Sequence, residues 1–328
     1  MSAVADTQSH DPAGAATAPR PDAAPQPYRR SRRRLAAPLL FLLPAAVLFL
    51  AFLAIPMCYA VFLSVRGMRV TPGGGPFGII RETWVGLDNY AAGLTDPEFL
   101  AGFGRLFVYG IIAVPVTLGL ALTFALLLDL PRVRGTRFSR TAIFVPYAVP
   151  GVVATLLWGF LYLPSTSPLN WILERVGLSG IEVLEGPMLF PAVANIAIWS
   201  GVGFNMIILF TSLRGIPAEI YEAARLDGAG EWDIAYRIKV PLVGPALVLT
   251  GLFALIGTLQ VYGEPTTLRP MTSAISQTWV PLMTIYRDAF TRDDLSLAAA
   301  SSVVLALGTL VVSVVLLRVT QKRSFGES

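Results

Sequence analysis

The residues of this chain best able to do chemistry lie in one stretch, Ile216 to Pro241. It holds Glu219, Glu222, Arg225, Asp227, Glu231, Asp233, Arg237 and Lys239, interleaved with Tyr221, Trp232 and Tyr236. Pro217 fits the first position of a helix, where its missing N–H costs nothing. Glu219 and Glu222 then fall near that helix's positive end, and Gly228 suits the left-handed conformation that closes a helix. A second short helix is predicted from about Glu231 to Lys239, stopping before Pro241. The chemistry on offer is recognition. A charged and aromatic helix-turn-helix of this kind is too elaborate for a passive connector.

Catalytic chemistry has little to work with elsewhere. Cys58 is the only cysteine and His10 the only histidine, so neither a disulfide, a His/Cys metal cluster nor a His-based triad can be assembled. The two lysines, Lys239 and Lys322, follow no glycine-rich loop, which excludes a phosphate-binding P-loop. Any nucleotide-derived energy must come from another chain.

The elements that must position the acidic stretch are membrane spans. The 328 residues are 54% hydrophobic and 14% charged, with a mean hydropathy of +0.64, whereas soluble domains carry about 25% charged residues. Six uncharged runs reach the roughly 20 residues a bilayer requires: Leu35–Val65, Leu106–Leu128, Thr141–Leu163, Gly186–Leu213, Val240–Gly263 and Leu295–Leu317. The expected fold class is all-α, a polytopic membrane protein of six transmembrane helices. A seventh run, Pro270–Tyr286, is too polar and short to span and is expected to pack at the outer surface. Prolines 44, 56, 115, 146, 150 and 191 fall within or at the ends of spans, where each removes a backbone donor and loosens the helix.

Charge asymmetry sets the orientation. With the N-terminus inside, the inner segments hold 17 of the 25 basic residues and the outer ones 8, so both termini are expected in the cytoplasm. Residues 1–34 read as a disordered tail ending in the basic stretch Arg29, Arg30, Arg32, Arg33 and Arg34, which fixes topology beside anionic headgroups rather than binding nucleic acid. Residues 35–323 form the transmembrane domain, with the acidic stretch as its cytoplasmic loop at 214–241, and 324–328 form a short tail. The first run exceeds the 7–15 residues of a signal-peptide core and reads as a retained anchor. No Asp, Glu, Lys or Arg lies inside any of the six runs. Proton-driven carriers usually place ionisable groups there, so the pattern points to another energy source and to a neutral solute, or one whose charge is read elsewhere.

The acidic loop also carries a resemblance. Glu222-Ala223-Ala224, three residues, Gly228, nine residues, Ile238, one residue, then Val240-Pro241 is similar to the EAA loop of binding-protein-dependent ABC importer permeases. The family pattern usually has Leu at the Val240 position and often Phe at the Ala235 position. Phe41-Leu42-Leu43-Pro44, Val85-Gly86-Leu87-Asp88-Asn89-Tyr90, Asp96-Pro97-Glu98-Phe99 and Pro146-Tyr147-Ala148-Val149-Pro150 resemble the carbohydrate permeases of the maltose and glycerol-phosphate type. Within that group the chain is similar to the larger maltose permease, without its extra periplasmic domain.

The resemblance implies a transport subunit and not an enzyme. It implies coupling residues Glu222, Ala223, Ala224, Arg225, Asp227 and Gly228 docked on a cytosolic ATPase, which would bind ATP and Mg while this chain binds no cofactor or metal. It also implies a second permease, two ATPase subunits, an extracellular solute-binding protein or lipoprotein, a sugar substrate and a bacterial cell membrane. In the family, solute contacts come from the spans flanking the loop. Those faces here carry Ser200, Gly201 and Phe204, and Phe253, Ile256, Gly257 and Gln260, the last four at helical spacing. Such side chains serve a sugar pocket or plain helix packing, and Gln260 is the strongest pocket candidate. Glu264, just past its span, is expected to be a surface charge. The competing reading is a secondary transporter or channel that works without an ATPase.

Overall fold

The computed structural model describes residues 33–71 and 79–324. His10, the expected N-terminal tail up to residue 32, and residues 325–328 lie outside the described residues. The chain divides into two compact units, residues 1–55 and 56–328. In the first, α1 (Arg33–Phe49) is followed by a π-helical turn, Leu50–Ala54. Its surface is apolar and uncovered, with Phe41 86% and Phe52 76% exposed, a face that water would not tolerate and hydrocarbon would.

The second unit opens with α2 (Ile55–Ser64) and then a feature that corrects the all-α expectation. Strands β1 (Arg66–Thr71) and β2 (Ile79–Trp84) form an antiparallel hairpin with Arg66 opposite Trp84 and Thr71 opposite Ile79. Val70, Ile79, Ile80, Thr83 and Trp84 favour a pleated strand, a signal lost between two much longer apolar runs. The hairpin is fastened to α3 (Asp88–Thr95) by Asn89, whose amide donates to the Ser64 and Arg66 carbonyls at 2.8 and 2.7 Å. Tyr90 meets the Ser64 hydroxyl at 2.6 Å, and Arg69 pairs with Asp88. The Gly86–Tyr90 motif thus has a structural task.

Helix α4 (Pro97–Leu128) starts where Asp96 accepts a 2.9 Å bond from the Glu98 N–H, with Pro97 at the first helical position. The expected third span is corrected: α5 (Thr136–Phe144), a 3₁₀ turn at Val145–Ala148 and α6 (Gly151–Tyr162) bend by 93°. Pro146 and Pro150 flank the break, and neither can donate to a continuing helix. After α7 (Pro168–Arg175), α8 (Leu189–Arg214) leads to the acidic stretch, which folds as α9 (Ala218–Leu226), α10 (Glu231–Asp233), a π-helical segment Ile234–Lys239 and α11 (Val240–Leu242). Then come α12 (Gly244–Leu259), α13 (Gly263–Leu268), α14 (Pro281–Phe290) and α15 (Leu295–Ser324).

Two expectations for this region change. The helix beginning at Glu231 does not stop before Pro241 but runs to Leu242, and the break, a 65° bend, comes at Val243. The wide π-helical segment just before Pro241 relieves the clash that proline makes with the preceding turn, and the π turn before Pro56 has the same placement. Gln260 caps the end of α12 rather than extending its helical face.

Four helical stretches are long and apolar enough to cross a membrane: Leu40–Ser64, Pro97–Leu128, Gly186–Arg214 and Leu295–Arg318. The bent pairs α5/α6 and α10–α11/α12 bring the number to six if each counts as one span. The protein is therefore a largely helical, multi-pass membrane protein.

Helices α4 and α8 form the centre, around two apolar clusters. One gathers Leu106, Tyr109, Val193, Ile196, Leu268 and Val280; the other gathers Ala121, Ala125, Met206, Leu209, Leu213 and Val243. Small residues set the spacing, as membrane helices require. A Cβ on Gly203 of α8 would lie 2.3 Å from the Ile143 carbonyl oxygen and 2.7 Å from the Phe144 Cα. The Pro270–Tyr286 run forms no helix long enough to span and packs against the first cluster through Ile275, Trp279, Val280 and Met283. It is held by Arg105, which donates to the Thr278 and Trp279 carbonyls at 3.1 and 3.2 Å.

Candidate functional site

The acidic hairpin presents an uncovered face. Leu226 is 89%, Trp232 85% and Tyr236 75% exposed, and Glu222, Ala223, Arg225, Asp227 and Gly228 are exposed around them, with Ala224 half-buried. Gly228 adopts φ +86°, the left-handed conformation that ends α9. Arg225 reaches across the turn to Glu231 at 3.1 Å and fixes the angle between the two arms. Ala235, at the position where the resembled pattern often has Phe, lines a largely apolar groove of about 280 Å³ with Leu126, Leu127, Leu130 and Trp232.

What sequence reasoning missed is the hairpin's anchor. Asp129 caps the C-terminus of α4, where a carboxylate opposes the helix dipole. Lys239, from the π-helical arm, meets it at 2.7 Å, and both side chains are only 5% exposed. Arg214, at the end of α8, approaches the same carboxylate at 3.8 Å. The Lys239 ammonium also lies 5.1 Å from the centre of the Tyr221 ring, so α9, the π-helical arm, α4 and α8 converge on one buried charge pair. Burial and then the Asp129 charge push the Tyr221 hydroxyl above the ordinary phenol range, and that hydroxyl has no hydrogen-bond partner. In the sequence, Lys239 reads as one more topology charge and Asp129 as the first polar residue after a span. Only the fold brings them together.

A second concentration of polar groups lies between α4, α8 and α12, around a cavity of about 330 Å³. Of the residues expected to contact solute, Ser200, Gly201, Gly257 and Gln260 line it. Phe204 lies one layer back and stacks on Tyr147, a lining residue, with ring centres 4.9 Å apart. Phe253 and Ile256 do not line it; Phe253 is 48% exposed on another face of α12. The cavity adds residues that sequence reasoning did not select: Tyr109, Thr117, Asn205 and Glu264. Asn205 lies one helical turn past Gly201, a spacing that marks the same face. Its amide donates to the Gly201 carbonyl at 2.9 Å, while its buried Oδ1 has no partner. Glu264, expected as a surface charge, lines this open cavity. It is half-buried at the start of α13, and the turn after Gln260 directs the chain along the cavity.

At the opposite end of α4 from the hairpin, Arg287 of α14 ties three acidic groups. It bonds Asp288 at 2.8 Å, Glu98 at 2.5 Å and lies 3.7 Å from Asp96. Burial disfavours the guanidinium charge, but the hydrogen bonds and charges of Asp288 and Glu98 outweigh it and hold the Arg287 pKa above its ordinary value. Among the described residues no group of three His, Cys, Asp or Glu is placed to hold a metal ion.

Known proteins align with this geometry over most of the chain. The sn-glycerol-3-phosphate transport system permease protein UgpA of Salmonella choleraesuis is 30% identical over 290 residues, 87% of this chain and 94% of that protein. The diacetylchitobiose uptake system permease protein NgcF of Streptomyces coelicolor is 28% identical over 94% of this chain and 90% of its own length. A bacterial ABC transporter involved in import of the acidic polysaccharide alginate has a chain that superposes with a TM-score of 0.72 at 21% identity, covering 88% of this chain and 96% of that one. The pattern of the family described as "Binding-protein-dependent transport system inner membrane component" matches residues 116–323. A match over more than half the chain, spanning the acidic hairpin and helices α8 and α12 beside the cavity, makes this protein a transport subunit belonging to the binding-protein-dependent transport system inner membrane components.

Proposed function

We propose that this chain is one of two permease subunits of a bacterial ABC importer that moves a sugar into the cell by ATP-driven alternating access. It crosses the cytoplasmic membrane six times, with the two bent pairs each counted as a span and both termini in the cytoplasm. The hairpin at 214–241 is its coupling element. Glu222, Ala223, Ala224, Arg225, Asp227 and Gly228 dock on one of two cytosolic ATPase subunits, which hold ATP and Mg. An extracellular solute-binding protein delivers the solute to a cavity lined by Ser200, Gly201, Gly257 and Gln260, with Phe204 backing it and Phe253 and Ile256 facing the second permease or lipid. The relatives favour a carbohydrate-like solute, since one carries a glycerol phosphate and another diacetylchitobiose.

The observation that carries this reading is the combination of an exposed apolar face on the hairpin with a buried charge pair at its root. A surface built to be covered is attached rigidly to α4 and α8, the walls of the cavity. Closure of the ATPase pair would then displace helices rather than bend a loop. The alanines and Gly228 allow close docking, and Glu222 offers the carboxylate.

The test is reconstitution with the second permease, the ATPase subunits and the binding protein in liposomes. Solute-stimulated ATP hydrolysis and ATP-dependent uptake are expected, and both should be lost in Glu222→Ala and Gly228→Val. Uptake by this subunit alone without nucleotide, or unchanged coupling in both variants, would refute the proposal.

A further inference from the structure

The central cavity carries a single formal charge. Among its lining residues Glu264 is the only acid, and no lysine or arginine is present. No ion pair among the described residues includes Glu264. Helix α13 holds it at the cavity wall, after a non-helical turn at Val261–Tyr262. The other polar groups are hydroxyls and amides: Tyr109, Tyr147, Ser200, Gln260 and Asn205, whose Oδ1 is buried without a donor.

From this we infer that Glu264 sets the charge selectivity of the cavity, admitting uncharged or amine-bearing sugars and turning away sugar phosphates and uronates. The inference rests on the importer reading above and narrows its substrate class. A carboxylate accepts two hydrogen bonds and suits a pair of neighbouring hydroxyls or an ammonium group. The unpartnered Asn205 oxygen is a further acceptor, so the site is rich in acceptors and suits a solute rich in O–H or N–H donors. The stacked Tyr147–Phe204 pair supplies an aromatic surface for the apolar side of a sugar ring. An anion could accept from the Tyr109, Tyr147 and Ser200 hydroxyls and the Gln260 amide, but it would also meet the Glu264 carboxylate. It would face an unneutralised negative charge between low-dielectric walls, which concentrate the field of a single charge. Among the relatives, the solutes named include an anion, glycerol 3-phosphate, and an uncharged disaccharide. The chemistry of this cavity fits the uncharged kind.

The cavity's charge can be read without knowing the solute. In a Cys58→Ser background, Ser200→Cys places one thiol on the cavity wall, and Leu178→Cys, at an exposed loop residue, serves as a reference. The full importer in nanodiscs, turning over ATP so that the cavity opens to both sides, is treated with cationic and anionic methanethiosulfonates of similar size. The ratio of cationic to anionic modification rates at Ser200→Cys should exceed the reference by roughly tenfold. Adding Glu264→Gln should bring it down to the reference, and Glu264→Asp should retain most of it; co-purification with the partner subunits reports assembly of each variant. A ratio that Glu264→Gln leaves unchanged, or faster reaction of the anionic reagent, overturns the inference. Those outcomes alongside intact ATP-driven uptake sink the charge selectivity alone. Loss of ATP dependence with a charge-sensitive ratio sinks the importer reading and leaves the electrostatics standing.

Discussion

Replacing Lys239 with methionine tests how firmly the acidic hairpin is fixed to the helix bundle. The substitution keeps the length of the side chain and removes its charge, leaving the Asp129 carboxylate 5% exposed with only Arg214, 3.8 Å away and 70% exposed, as a partner. An exposed arginine at that distance contributes little, so the change amounts to stranding a buried charge, which costs about 3–5 kcal/mol. The converse, Asp129→Asn, strands an ammonium that still sits 5.1 Å from the Tyr221 ring. A desolvated cation–π contact offsets roughly 1–2 kcal/mol of that penalty, so this variant should lose somewhat less than Lys239→Met. The double variant strands nothing and should recover to within about 1 kcal/mol of the parent. Equilibrium unfolding in mixed micelles titrated with SDS gives the stabilities, and solute-stimulated ATP hydrolysis by the assembled complex gives the coupling. Each single variant should retain ATP hydrolysis while losing its response to solute, because the hairpin docks but no longer drives α4. If Lys239→Met matched the parent within about 0.5 kcal/mol, or the double variant were no better than the worse single one, the pair would not be the anchor.

Gly203→Ala should disrupt the α8–α5 crossing, because its Cβ would lie 2.3 Å from a backbone oxygen that cannot rotate away. A loss of about 1–3 kcal/mol is expected in the same unfolding assay, whereas Gly159→Ala, which meets only the flexible ends of Met271 and Leu268, should cost less. Arg287→Met should strand Asp288, 2% exposed, with only Arg292 at 3.4 Å, costing about 3–5 kcal/mol; limited proteolysis should then cut the 270–294 segment, and adding Asp288→Asn should restore resistance. Tyr221→Phe should be nearly neutral in the isolated subunit, within about 0.5 kcal/mol, since the hydroxyl it removes has no partner. A larger loss would mean that the hydroxyl is bonded after all.

Much of the fold was legible because hydrocarbon demands long uncharged runs: the C-terminal ends of α4 and α8 and the start of α15 fall where those runs meet charges, whereas α4 begins nine residues earlier and α15 runs seven residues further than its run. Three things were not. Length and composition cannot distinguish a straight span from one bent 93° at Pro146 and Pro150, since proline is tolerated in both. The β1–β2 hairpin pairs residues whose partners are fixed only by the fold, and the packing of the polar 270–286 run depends on Arg105 reaching two carbonyls. At the site, the hairpin was readable from Gly228, Pro217 and the charge density. Its anchor was not, because Asp129 and Lys239 are 110 positions apart. Gln260 and Ser200 were reachable by helical spacing. Glu264 was passed over because it lies just beyond the uncharged run, although its position four residues after Gln260 would share that face on a continued helix.

The two ends of α4 explain how a push on the hairpin could reach the solute. Asp129 joins the C-terminal end to the hairpin root, and Asp96 and Glu98 join the N-terminal end to Arg287 of α14. Between those clamps α4 supplies Tyr109 and Thr117 to the cavity, while α12, bent by 65° from the hairpin arm at Val243, leads to Gln260 and Glu264. On the proposed reading, displacing the hairpin pulls α4 directly through Asp129, with Pro115 the interior point at which that helix can flex, whereas the bend at Val243 lets α12 lag behind it. The cavity wall built from α4 and the wall built from α12 then separate or close without either helix unfolding. A direct link on one path and a hinge on the other would let the two walls move by different amounts. A Val243 bend straightened by substitution should therefore leave ATP hydrolysis intact and slow uptake, and equal slowing of both would place the hinge elsewhere.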